Sequence, residues 1–130
     1  MFAQEGGTLM PTKTNIYTIW IKTGDVPLGG TDSNVFLQLF GTGGYTEALY
    51  LPPEDIFAFE AGSIDKFILE VPDIGDLTRC CIGQDGAVDS GWYIETVRVK
   101  DDETAREWLF TFNQWLGQEE AGANSACVEC

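Results

Sequence analysis

Hydrophobic and polar residues alternate with period two through most of the chain. Within residues 15–23, Tyr17, Ile19 and Ile21 share one side, and Thr18, Trp20 and Lys22 share the other. Val35, Leu37 and Leu39 alternate with Phe36, Gln38 and Phe40, and Phe67, Leu69 and Val71 alternate with Ile68 and Glu70. Successive side chains of a strand point to opposite faces, so each run predicts a strand with one buried face. The same pattern predicts strands over residues 77–84, 92–100 and 105–112, and a short one at 47–51. In 92–100 the alternation slips at Glu95 and Thr96, as a bulge would make it do. Turn-forming clusters at 24–32, 41–45, 52–62, 72–76 and 85–91 separate the runs. Short strands at such spacing predict an all-β sandwich or barrel. The one helical feature expected is a single turn near Asn113–Leu116. Residues 1–14 are Gly/Thr-rich and aperiodic, and are expected to be a flexible lead-in to a domain over 15–116. Residues 117–130 turn to Gln, Glu, Ala, Gly, Asn and Ser, and are expected to be a disordered tail.

Composition narrows the chemistry. The 130 residues suit one domain with one core. Seven basic against 21 acidic residues give a net charge of -14, which repels nucleic-acid phosphates and opposes electrostatic adhesion to anionic lipid. Dense carboxylates suit a hard cation such as calcium, and they equally keep a domain soluble. Histidine is absent, which removes Ser-His-Asp and Cys-His catalysis and His-ligated zinc. The four cysteines are Cys80, Cys81, Cys127 and Cys130. Neighbours in a strand point apart, so Cys80 and Cys81 do not readily bridge each other. Cys127 and Cys130 have the spacing of half a zinc site without a second half. Redox compartment and pairing stay open. No apolar run reaches membrane-spanning length, and the start lacks the features of a secretory leader, which says little of compartment; a soluble, at most peripheral, domain is expected, its location open.

An ordered series of short motifs runs through the predicted strands and turns. It begins with Tyr17-Thr-Ile-Trp-Ile-Lys-Thr-Gly24-Asp25 and Gly30-Thr31-Asp32-Ser33-Asn34-Val35-Phe36. It continues with Phe59-Glu60-Ala61-Gly62-Ser63-Ile64-Asp65-Lys66-Phe67, Asp73-Ile-Gly75-Asp76-Leu77 and Ile82-Gly83-Gln84-Asp85-Gly86. Gly91-Trp92-Tyr93-Ile94-Glu95-Thr96-Val97, Trp108-Leu109-Phe110 and Trp115-Leu116 close it. In this order the chain resembles the PLAT (lipoxygenase-homology, LH2) family over residues 15–116. Each motif alone says little, and their order and spacing carry the resemblance. It implies an eight-stranded antiparallel β-sandwich of C2-like architecture, without chemistry of its own. It further implies a calcium-binding module that brings a host protein to membrane lipid or to a partner, monomeric when isolated.

The resemblance also assigns roles. Gly30, Thr31 and Asp32 lie in the loop where relatives hold calcium; glycines let carbonyls converge, and Thr31 and Asp32 add side-chain oxygens. The alternative is a tight glycine turn with Asp32 bonded to its own backbone. Glu60 matches a carboxylate that faces this loop in calcium-binding relatives. Phe57 and Ala58 stand where those relatives often carry Asn and Asp, which removes two donors; Glu54 and Asp55 lie nearby. Asp85 and Asp89 share a turn expected beside the Gly-Thr-Asp loop, where Gln84 replaces a frequent histidine; an Asx-bonded turn is the other reading. Asp65 is expected to organise a turn. Val26, Leu28 and Val88 occupy the loop tips that carry bulkier groups in membrane-docking relatives, which implies weak, calcium-assisted lipid contact. Trp20 and Phe36 fall on outer strand faces, where adjacency would give a partner-docking patch. A protein-interaction domain whose acidic face meets a basic partner is the main alternative to lipid targeting. A sugar-binding sandwich would show exposed coplanar aromatics on one face.

Overall fold

The computed structural model describes residues 13–31, 33–53, 58–85, 91–117 and 124–130. Nine strands occur among them and no helix. They are β1 (Thr14–Thr23), β2 (Val35–Gly41), β3 (Gly44–Tyr45), β4 (Leu49–Leu51), β5 (Ile64–Pro72), β6 (Leu77–Gln84), β7 (Trp92–Asp101), β8 (Glu107–Leu116) and β9 (Ser125–Glu129). One sheet runs β5-β1-β7-β8, and the other runs β9-β6-β2-β3 with β4 also paired to β2. Every pairing is antiparallel.

The core follows the alternation. Tyr17, Ile19 and Ile21 are fully buried, and Ile19 sits opposite Phe67 on β5 and Val99 on β7. The facing sheet contributes Val35, Leu37 and Leu39, with Leu37 opposite Ile82 and Leu39 opposite Cys80. Trp92 fills the core beneath the loop end of the sandwich. Its ring meets Phe59 edge-on at 5.6 Å, and its indole N–H donates to Thr23 Oγ1 at 2.9 Å, so a large apolar group enters without an orphaned donor. At the opposite end Asp101 is buried and accepts from Asn15 Nδ2 and from the Glu103 amide.

The slip at Glu95 is real. Register shifts between Ile94 and Thr96, and Glu95 there faces Phe112 and Asn113 on β8. Asn113 takes φ 48° to make this bulge, so the residues expected to form a helical turn instead extend β8 through Leu116.

The tail reading needs correction over residues 125–129, which pair with β6 as β9 and add a ninth strand to the eight expected. The cause lies in two features: Ala126 and Val128 are half-buried against the core, and a disulfide joins Cys127 to Cys81, its direct cross-strand partner. Polar composition hid a strand that buries only two small side chains. Residues 1–12 and 118–123, also assigned to the lead-in and tail, lie outside the described residues.

Candidate functional site

Three connections meet at one end of the sandwich: the turn leaving β1, the turn entering β5, and the turn leaving β6. Backbone bonds tie them together. Gly24 N–H donates to Tyr93 O at 2.8 Å, Tyr93 N–H to Gly29 O at 2.9 Å, and Thr31 N–H to Phe59 O at 3.0 Å. Asp85 N–H reaches Asn34 O at 3.1 Å. A Cβ on Gly30 would lie 2.7 Å from Phe59 O, so glycine is required for the first two turns to touch.

The expected donors come to this end with different duties. Thr31 is buried; its hydroxyl donates to Gln84 Oε1 at 2.6 Å and accepts from Ser33 N–H at 3.0 Å. Asp85 is exposed, and its two carboxylate oxygens accept from Asn34 N–H at 2.9 Å and Asn34 Nδ2 at 2.8 Å. Glu60 is exposed, and its backbone oxygen accepts from Ser63 N–H at 2.9 Å. Asp65 accepts from Phe59 N–H and from the Ser63 hydroxyl, which makes it the turn organiser its position suggests. Asp32, Asp89 and Val88 lie outside the described residues, as do Glu54 and Asp55.

Sequence reasoning missed three contributors. Gln84, buried at 4% exposure, also donates from Nε2 to Leu116 O at 3.0 Å and so links the Thr31 turn to β8. Asn34 clamps Asp85 and accepts from Tyr50 Oη at 3.3 Å. Asp25 stands at the neighbouring turn, its Oδ1 3.3 Å from where a Gly62 Cβ would be. Gln84 was visible only as a substitution for histidine. Its role depends on contacts 53 and 32 residues away, which periodicity does not reveal.

These oxygens are of the type calcium takes, hard and acceptor-only when carboxylate. The Thr31 hydroxyl donates to Gln84 and accepts from Ser33, which leaves one lone pair on its oxygen. Asp85 fits, because each carboxylate oxygen keeps a lone pair beyond its present bond. Among the described residues no three acidic, cysteine or histidine side chains converge on a common point. The described donors by themselves therefore do not enclose an ion.

The loop tip has its own geometry. Gly29 N–H closes a turn onto Val26 O at 3.0 Å, with Val26 half-buried. Leu28 takes φ 61° and stays 90% exposed. Left-handed backbone at a γ-branched residue is a strained conformation.

The outer sheet faces differ. Trp20 and Phe36 are not neighbours: they belong to opposite sheets and are half-buried under partners of their own. The Arg98 guanidinium lies 4.2 Å over Trp20, and Tyr50 lies 5.6 Å from Phe36. The outer face of the β5-β1-β7-β8 sheet carries Ile16, Ile64, Ile68 and Leu109, four of seven exposed large hydrophobics among the described residues. Lys22, Lys66, Arg98 and Lys100, four of the chain's seven basic residues, share that face. Lys22 pairs with Glu95 and Arg98 with Glu107, both at 3.1 Å.

The PLAT/LH2 domain model matches residues 17–127. Human lipoxygenase homology domain-containing protein 1 is 34% identical over 116 residues, 88% of this chain and 6% of that protein. Mouse polycystin-1-like protein 3 is 32% identical over 108 residues, 82% of this chain and 5% of that protein. The chain thus spans a small fraction of the length of the relatives it matches. Among solved structures, coral 8R-lipoxygenase, described as activated by calcium through a C2-like domain, matches with a TM-score of 0.74 and 25% identity. That match covers 86% of this chain and 16% of the lipoxygenase. Fold, motif order and matched length agree: the chain belongs to the PLAT/LH2 domain family.

Proposed function

We propose that this domain is a non-catalytic docking module that presents its acidic loop end to a membrane surface, with calcium as the assisting ion. The observation that carries the reading is Leu28, an exposed leucine at the tip of a turn in left-handed backbone. Such strain persists where the surrounding structure enforces it, and it concentrates at functional sites. Burying one leucine is worth roughly 1.5–3 kcal/mol, so insertion of this tip gives weak, reversible binding. The carboxylates of Asp32, Glu60, Asp85 and Asp89 and the backbone oxygens of Gly30 and Thr31 are the groups that would hold the ion. Bound calcium would supply positive charge where the chain's -14 otherwise repels anionic headgroups. The coral lipoxygenase supports the calcium element by likeness alone.

The test is co-sedimentation with phosphatidylcholine/phosphatidylserine vesicles in calcium and in chelator. Calcium-dependent binding that Leu28→Asp abolishes supports the reading. Binding equal in both buffers, or none at either, overturns it.

A second reading, docking of a protein partner, is favoured by the outer face of the β5-β1-β7-β8 sheet. Its exposed aliphatic residues stand beside Lys66 and Lys100, which lack ion-pair partners among the described residues. Four strands about 4.8 Å apart and seven residues long offer roughly 400 Å². That is half of a standard interface per partner, and it suits a transient contact.

A further inference from the structure

We propose that the Cys81–Cys127 disulfide is a thiol–disulfide exchange site whose state sets the order of the loop end. The bond joins β6 to β9 at directly opposed positions, and Cys127 is exposed on a strand that, among the described residues, is paired along one side. Without the covalent link, β9 is held by a five-residue ladder, two half-buried side chains, Ala126 and Val128, and the Cys130 bonds to Thr78 O and Leu77 O, each 3.3 Å. Those holds are few for an independent strand.

The link to the loop end is a chain of named bonds. Immediately before β9, Asn124 O accepts the Gln84 amide at 2.9 Å. Gln84 Oε1 accepts the Thr31 hydroxyl, and Thr31 Oγ1 accepts the Ser33 amide. The next residue along, Asp85, accepts the Asn34 amide. Gly117 packs beside this residue: a Cβ there would lie 2.5 Å from Gln84 Nε2, so glycine is what lets the side chain reach Leu116 O. Loss of the Asn124 bond therefore removes one anchor of the residue whose Oε1 holds the Thr31 hydroxyl, and loosens the Thr31 turn. Gln84 acts as a positioning residue.

The co-reactant is a small dithiol. One of its thiolates attacks Cys127 Sγ, forming a mixed disulfide while the bond to Cys81 breaks and Cys81 leaves as a thiolate that takes up a proton. The second thiol of the reductant then displaces Cys127, which is protonated in turn. The reductant ends as its own disulfide, and two electrons have passed to the protein. Cys80 does not compete, being buried on the core face. The exchange acts on the loop end whatever that end binds, and its consequence for docking rests on the membrane reading above.

Hydrogen exchange of the intact 130-residue chain, with and without dithiothreitol, tests the proposal. Reduction should speed exchange about tenfold or more in 125–129 and also at the Ser33, Asn34 and Gln84 amides, leaving β1 and β5 unchanged. Cys81→Ser/Cys127→Ser should match the reduced state in either buffer, and Cys130→Ser should match the wild type. In oxidised Gln84→Ala the 31–34 turn should already exchange fast and respond no further to reduction. Faster exchange confined to 125–129, or spread evenly over all strands, overturns the proposal. Vesicle binding is scored separately, so a domain that ignores lipid but shows the exchange pattern sinks the docking reading alone.

Discussion

The hydroxyl of Thr31 donates to the side-chain carbonyl of Gln84 over 2.6 Å, joining two residues 53 positions apart in the chain. Both are buried, and through this bond the glycine turn after β1 is fastened to the end of β6. An acceptor in such a place is costly to remove. A buried group left without its partner costs about 1–3 kcal/mol, more than the bond itself contributes net.

Gln84→Leu should therefore lower stability by about 2–4 kcal/mol, since it strands both the Thr31 hydroxyl and the Leu116 carbonyl. Thr31→Val, which removes the donor while keeping the shape, should cost about 1–3 kcal/mol. A double-mutant cycle by urea denaturation separates coupling from simple sums. Additive losses would show that the two residues act independently.

Calcium binding is open to an equally direct measurement. A ligand specific for the folded state adds about 2.7 kcal/mol at a concentration 100 times its dissociation constant. A thermal melt in chelator, then in rising calcium with magnesium as control, should show a calcium-specific increase. Asp32→Asn and Glu60→Gln should each reduce it. Equal melting temperatures at millimolar calcium and in chelator would remove the ion from the docking mechanism.

Much of this fold is legible in the chain. Period-two alternation located the long strands and identified Tyr17, Ile19, Ile21, Val35, Leu37 and Leu39 as core, because one face of each sheet must be apolar. The bulge at Glu95 was visible as a break in that period. β9 was not, since only Ala126 and Val128 face inward and neither is large. Asn113 and its neighbours misled because a left-handed asparagine and a helical turn look alike in sequence. At the loop end, residue types identified Gly30, Glu60 and Asp85 as candidates. They did not show that Thr31 and Asp85 are each engaged by a distant partner, which depends on how the turns pack.

Leu28 separates stability from docking. Its φ of 61° suits glycine, so Leu28→Gly should be neutral or stabilise by up to about 1 kcal/mol in thermal melts. The same substitution removes the apolar tip and should weaken vesicle partitioning about tenfold or more, given roughly 1.5–3 kcal/mol for a buried leucine. Opposite signs in the two assays mark a residue kept for contact with something outside the domain. A loss of stability together with unchanged vesicle binding would assign Leu28 to the fold instead.

Two buried groups make the domain sensitive to alkali. Burial pushes the Cys80 thiol far above its ordinary 9.0. Burial, reinforced by the Asp101 carboxylate, raises the Tyr17 phenol above its ordinary 10.0. Both are acids that lose a proton more easily when unfolded. At high pH the folded state therefore binds more protons, and stability falls as pH rises. The contribution is complete below the unfolded values and begins to be lost near pH 9 for Cys80 and near pH 10 for Tyr17. The decline is at most about 1.4 kcal/mol per pH unit for each group until its folded value is reached. Urea midpoints measured from pH 7 to pH 11 should be flat up to about pH 8.5 and then fall. Cys80→Ala, although less stable at pH 7 for the atom it loses from the core, should move the onset toward pH 10. An onset unchanged in Cys80→Ala would mean that another group controls the alkaline limb.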